Sequence, residues 1–108
     1  SFMIAEMVRE KLMRLLGQEI PYRTAVTVES LAETKKLMTI HVLIWVDSES
    51  HKHIVIGKGG AKLKQVGTEA RADIEKYFEK KVLLKTWVKV KSGWSDNLDF
   101  LNRTDLGK

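Results

Sequence analysis

Apolar side chains at Ile4, Val8, Leu12, Leu15 and Leu16 recur at spacings of three and four, the period that lines one face of an α-helix. Gly17 and Pro21 follow the last of them, and a glycine then a proline past a periodic stretch stop a helix. The spacing therefore predicts a first helix over residues 2–16. Over 23–31 the alternation is weak, with Val26 and Val28 on one face, whereas Met38, Ile40, Val42, Ile44 and Val46 form a strict period-two apolar face. Two such runs predict a hairpin. The segment between them, 32–36, contains no glycine, so a tight two-residue turn is not signalled and a connection of several residues is expected.

The second half opens with Asp47-Ser48-Glu49-Ser50, all side chains able to cap a helix start. The helix they announce, over 51–56, is short and closed by Gly57. Leu63, Val66, Ala70, Ile74, Tyr77 and Phe78 then repeat at three and four, predicting a longer amphipathic helix over 61–79. Val82, Leu84, Val88 and Val90 alternate with Leu83, Lys85, Trp87, Lys89 and Lys91, which reads as a last strand before Ser92-Gly93. Trp94-Ser95-Asp96 would cap a short terminal helix. The order α-β-β-α-α-β gives an α+β fold: a three-stranded mixed sheet with helices on one face, the last strand reached by a crossover long enough for parallel pairing.

Composition narrows the class without changing the elements. A chain of 108 residues with 44% apolar and 31% charged residues makes one domain with a core of its own. It has no cysteine, hence no disulfide framework, and its apolar runs fall far short of the ~20 residues that span a bilayer. The opening Ser1-Phe2-Met3-Ile4-Ala5-Glu6 has neither an initiator methionine nor a leader pattern, and reads as the cut edge of something longer. The net charge is +5, and its distribution matters more than its size. Residues 51–91 hold ten lysines and Arg71 against Glu69, Asp73, Glu75 and Glu79, a net of +7, which leaves −2 for the rest. A clustered positive field points to an anionic partner.

At the centre of that cluster stands Val55-Ile56-Gly57-Lys58-Gly59-Gly60, a G-x-x-G turn between two predicted helices, followed by Lys62 and Lys64. Glycines let a backbone come into contact with a sugar–phosphate chain. The start of the next helix offers N–H groups and a partial positive charge. Lys58 adds a full charge, and the aliphatics before the turn would line a groove for bases. This combination describes single-stranded nucleic-acid binding. The rival nucleotide-triphosphate loop needs G-x-x-x-x-G-K-[ST] after a strand, a string the sequence lacks. The bland alternative is a plain glycine-rich helix–helix turn.

These residues, with Glu10-Lys11-Leu12-Met13-Arg14-Leu15, Glu19-Ile20-Pro21-Tyr22, His51-Lys52-His53-Ile54, Gly67, Glu69-Ala70-Arg71, Leu84 and Trp87-Val88-Lys89-Val90-Lys91-Ser92-Gly93-Trp94, carry a resemblance to the type II KH family. The likeness is to the form found at the C-terminus of Era-type bacterial GTPases. The resemblance implies a single type II KH domain over 1–108, monomeric, that grips the single-stranded 3′ end of 16S ribosomal RNA during assembly of the 30S subunit. It also implies a separate N-terminal GTPase domain in cis that would hold GTP and Mg, with no cofactor in this fragment, and a cytoplasmic protein loosely associated with the inner face of the membrane. KH folds clamp about four nucleotides. The RNA-binding residues that carry over are Gly57, Lys58, Gly59 and Gly60 as the clamp, Ile54 and Ile56 as groove wall, and Lys62, Lys64 and Arg71 beyond it. The pair Lys58-Gly59 departs from the larger polar residues frequent there, which implies a looser loop.

Other residues invite competing chemistry. His41, His51 and His53 suggest a metal, but His51 and His53 are two apart on a helix, where side chains diverge, and no cysteine or paired carboxylate completes a site. No Ser/His/Asp arrangement has mechanistic spacing, so no catalysis is expected of this chain. Trp45 and Trp87 fall on the strand faces opposite the apolar ones, with His41, Lys85, Lys89 and Lys91. Aromatics among lysines on an open sheet can stack bases; the alternative is a cross-strand packing pair covered by the terminal segment, the separate GTPase domain or a ribosomal neighbour. Two further readings of function follow: a protein-interaction domain using the Trp45/Trp87 face, and a KH domain of another ribosomal or RNA-chaperone protein.

Overall fold

The computed structural model describes residues 2–21 and 23–91. Helix α1 (Phe2–Leu16) buries Ile4, Val8, Leu12 and Leu16, the predicted stripe, and ends at Gly17, whose φ of +57° starts a short turn over Gly17–Glu19. Strands β1 (Ala25–Glu33) and β2 (Leu37–Val46) pair antiparallel, from Ala25 opposite Trp45 to Glu33 opposite Met38. Then come α2 (Glu49–Ile56), a tight turn over Lys58–Gly60, α3 (Ala61–Phe78) and β3 (Lys81–Val90). β3 lies parallel to β2, with Leu37 opposite Lys81 and Val46 opposite Val90. The sheet order β1-β2-β3 puts β2 in the centre and leaves β3 as an edge.

One face of this sheet makes the core. Met38, Ile40, Val42, Ile44 and Val46 of β2 and Val82 and Val88 of β3 are buried against Val8 and Leu12 of α1, Val55 of α2, and Val66, Ala70 and Ile74 of α3. The architecture is the expected α+β arrangement, with the helices packed on one face of a mixed sheet. Polar side chains tie the helices to each other at the rim: Lys11 Nζ lies 2.7 Å from Asp73, and Arg14 pairs with Glu69. Among the described residues no helix is long and apolar enough to cross a membrane.

The hairpin departs from the expectation. β1 runs on through Ala32 and Glu33, so the connection is tighter than the several residues expected over 32–36. The Thr34 hydroxyl accepts from Leu37 N at 3.1 Å, and Thr34 N donates to Leu37 O at 2.8 Å. A threonine side chain thus closes a turn that contains no glycine. The weak alternation of β1 also has a cause: the register slips between Val28 and Ser30, a β-bulge that reverses which side chains stand on the helix-covered side of the sheet, although those beyond it are exposed. Val26 and Val28 stand opposite Ile44 and Val42, but beyond the bulge it is Leu31 and Glu33 that stand opposite Ile40 and Met38. Glu33 pairs there with Lys80, which also donates to Thr34 O at 3.0 Å. The terminal helix expected from Trp94 lies outside the described residues.

Candidate nucleic-acid interface

The G-x-x-G turn is built from its two flanking helices. Ser48 caps α2 by accepting from His51 N at 3.2 Å, and α2 ends where Gly57 N donates to His53 O at 2.9 Å. Gly57 has φ 78° and ψ 173°, a region open in practice only to glycine. A side chain there has no room either, because a Cβ would stand 2.5 Å from Lys62 Cγ and 2.9 Å from Lys62 N. Gly59 and Gly60 also have positive φ, yet a Cβ on either would meet nothing within 4 Å. Gly57 is therefore the packed hinge, while Gly59 and Gly60 present bare backbone to open space. No side chain caps the start of α3, and its first turn carries no acid. Gly60 N and Ala61 N donate within the turn, to Gly57 O at 3.1 Å and to Lys58 O, so what the helix start offers an anion is its positive dipole end and the N–H groups beyond Ala61.

Beside the turn runs an open groove of about 370 Å³, lined by Gly60, Leu63, Lys64, Gly67, Thr68 and Arg71 on one wall and by Leu84 and Thr86 of β3 on the other. Leu63 and Leu84 give it apolar flanks and the two threonines give it hydroxyls. Lys64 and Arg71 are exposed cations on its rim. Gly67 sits mid-helix, where glycine costs about 1 kcal/mol relative to alanine, and a Cβ there would meet nothing within 4 Å. Its effect is to keep the wall of the groove low. Arg71 is held from behind: its Nη1 lies 3.4 Å from Glu75 Oε2, an oxygen that also accepts from Val82 N at 2.9 Å.

On the other side of the turn is a second hollow, of about 650 Å³, lined by Gln18, Glu19, His53, Ile54, Gly57, Lys58 and Lys62. The nine residues singled out in the sequence thus separate. Gly60, Lys64 and Arg71 line the groove, whereas Ile54, Gly57, Lys58 and Lys62 line the hollow. Ile56 packs half-buried against the core, and Gly59 is exposed at the crest between. Lys62 also reaches back, donating to Leu15 O at 3.4 Å, one residue before the end of α1. The apolar groove flanks are Leu63 and Leu84; sequence reasoning used Leu63 in the stripe of α3 and Gly67 and Leu84 in the family resemblance, but named none of these, nor Thr68 or Thr86, as site residues. The one signal available was the unexplained mid-helix glycine. The histidines disperse: His51 and His53 lie on α2, and His41 lies on β2 with its ring 5.3 Å from that of Trp87.

A mixed three-stranded sheet backed by helices on one face, with a helix–glycine turn–helix unit opening onto a groove beside the edge strand, defines a KH-type module. The KH domain family matches residues 19–95, and the chain belongs to that family. Among curated proteins it is similar to the GTPase Era of Coxiella burnetii (strain Dugway 5J108-111), 62% identical over 97 residues, covering 90% of this chain and 33% of the relative. It is also similar to the GTPase Era of Neisseria meningitidis serogroup C, 53% identical over 105 residues, covering 97% and 34%. The chain thus spans about a third of the length of these relatives. Among solved structures, an Aquifex aeolicus Era variant bound to GDP·AlF4− superimposes with a TM-score of 0.85 at 34% identity, over 94% of this chain and 35% of that one. Era in complex with MgGDPNP and nucleotides 1506–1542 of 16S ribosomal RNA gives 0.84 at 35% identity, over 94% and 34%.

Proposed function

We propose that this chain binds single-stranded RNA, with the sugar–phosphate backbone on the Gly57–Gly60 turn and the bases in the adjoining groove. The observation that carries the reading is the bare backbone of Gly59 and Gly60 at the uncapped start of α3, beside a groove with apolar flanks and cationic rim. Phosphates meet N–H groups and the charges of Lys58, Lys64 and Arg71, while base planes lie against Leu63 and Leu84 and base edges meet Thr68 and Thr86. The similar Era structure holds nucleotides of 16S ribosomal RNA, which supports the 3′ end of that RNA as the target and a role in assembling the 30S subunit. On this reading the chain is a single RNA-binding domain acting in the cytoplasm. GTP and Mg would be bound by a separate GTPase domain of a longer protein, as the names and length of its relatives suggest.

The test is the double substitution Lys58→Asp with Gly59→Asp. It puts two negative charges where phosphates would lie, at positions that are exposed, and aspartate is among the residues that tolerate positive φ best. Thermal unfolding should stay near that of the parent while RNA binding, followed by fluorescence anisotropy, is lost. Unchanged binding would rule the turn out as the clamp.

A further inference from the structure

The face of the sheet turned away from the helices has its own chemistry. The odd positions of β3 all point there and all are exposed, giving the series Lys81, Leu83, Lys85, Trp87, Lys89. Leu83 is 45% and Trp87 43% exposed, large apolar surfaces for a domain that has already buried its core. Trp87 is braced, because the His41 ring stands edge-on to it at 5.3 Å and 72°. Next to Trp87 in register is Leu43, 7% exposed, which forms the floor of this face rather than part of the main core. The described residues of β2 and β3 that face this way include no acid. Same-face neighbours along a strand are ~6.6 Å apart, so Lys85, Trp87 and Lys89 make a cation–aromatic–cation series at about the stride of a nucleotide chain.

Position gives this series its meaning. Leu84 and Thr86, which line the groove, alternate with Lys85 and Trp87 on one edge strand. A chain lying in the groove therefore needs only to cross the unpaired edge of β3 to reach the opposite face. We propose that the open sheet face is a second platform for the same single-stranded RNA. The strand leaving the groove passes over β3, stacks a base on Trp87, and sets phosphates beside Lys85 and Lys89. Base–aromatic stacking needs no particular sequence, so the platform adds affinity and reach while the groove does the reading. This rests on the groove reading above. Charge and continuity favour RNA here over a protein partner, for which the lysine spacing along β3 has no particular use.

The experiment uses the whole chain and three RNAs: one of about four nucleotides that fills the groove alone, and the same RNA lengthened to about a dozen on its 5′ or its 3′ side. Trp87→Ala should leave the short RNA's affinity within about twofold and weaken one lengthened RNA about tenfold or more. Lys85→Gln with Lys89→Gln, exposed positions whose change leaves the core intact, should lower the salt slope for that RNA by about 0.7 for each phosphate no longer neutralised. Lengthened RNAs that bind no more tightly than the short one, or that ignore both variants, would overturn the platform and leave the face to a protein. Failure of the short RNA to bind the parent chain would instead overturn the groove reading, and the platform with it.

Discussion

Gly57, Gly59, Gly60 and Gly67 perform three different tasks. Gly57 combines a backbone conformation closed to other residues with a Cβ position already occupied by Lys62. Gly57→Ala should therefore destabilise the chain by about 1–3 kcal/mol, read as a lower denaturation midpoint. Gly59→Asn, at φ 62° with open space around it, should cost distinctly less, since asparagine visits that region. Gly67 has an ordinary helical setting, and Gly67→Ala should stabilise α3 by about 0.5–1 kcal/mol while weakening RNA binding, because the added methyl stands on the groove wall. A variant that is more stable and binds RNA as well as the parent would show that Gly67 has no part in the site. The string G-x-x-G was legible in the sequence; the inequality of its glycines was not, because it depends on where Lys62 packs. The same applies to Ile54 and Lys62, which the family resemblance set beside the clamp and which line the hollow together with Gly57 and Lys58, Lys62 also donating to the carbonyl of Leu15.

Element by element, what was legible followed how regular the pattern was. The strict alternation of β2 and the stripe of α1 translated directly into buried faces, because nothing interrupts their period. β1 read poorly because its bulge reverses the alternation halfway, and its turn was misjudged because Thr34 supplies the hydrogen bonds that glycine would otherwise make unnecessary. The groove walls could not be read at all, since α3 and β3 meet only through tertiary packing. That packing depends on residues such as Ile74, fully buried on α3, and Ile74→Ala should cost about 2–5 kcal/mol in equilibrium unfolding. α1 and α3 are also joined by charge. Asp73 and then Glu10, both bonded to Lys11, hold its ammonium above the usual lysine range. A folded-state value raised in this way stabilises the charged form, so the contribution is fully present below the ordinary lysine range and is lost as pH rises through the folded value. Lys11→Met should lower stability slightly at neutral pH, where that contribution is fully present, and flatten its loss in the alkaline window; an unaltered alkaline profile would show that the pair contributes nothing measurable.

Across the whole molecule, charge is what links the turn to the sheet. The net +7 of residues 51–91 is carried by α2, the turn, α3 and β3, the elements that surround the groove and the open face. RNA binding should therefore weaken log-linearly with salt, with a slope of about 0.7 for each phosphate neutralised. That cluster is what pointed to an anionic partner in the sequence, whereas the path proposed over the surface draws on the sheet order that makes β3 an edge. The most direct test of single-stranded RNA in the groove is an amide NMR titration of this chain. The titrants are an RNA matching the 3′ end of 16S ribosomal RNA and a scrambled RNA of equal length. Shifts from the matched RNA should concentrate at residues 57–64 of the turn and early α3, with Gly67, Arg71, Leu84 and Thr86 following. Saturating RNA that leaves those amides unmoved would contradict the account.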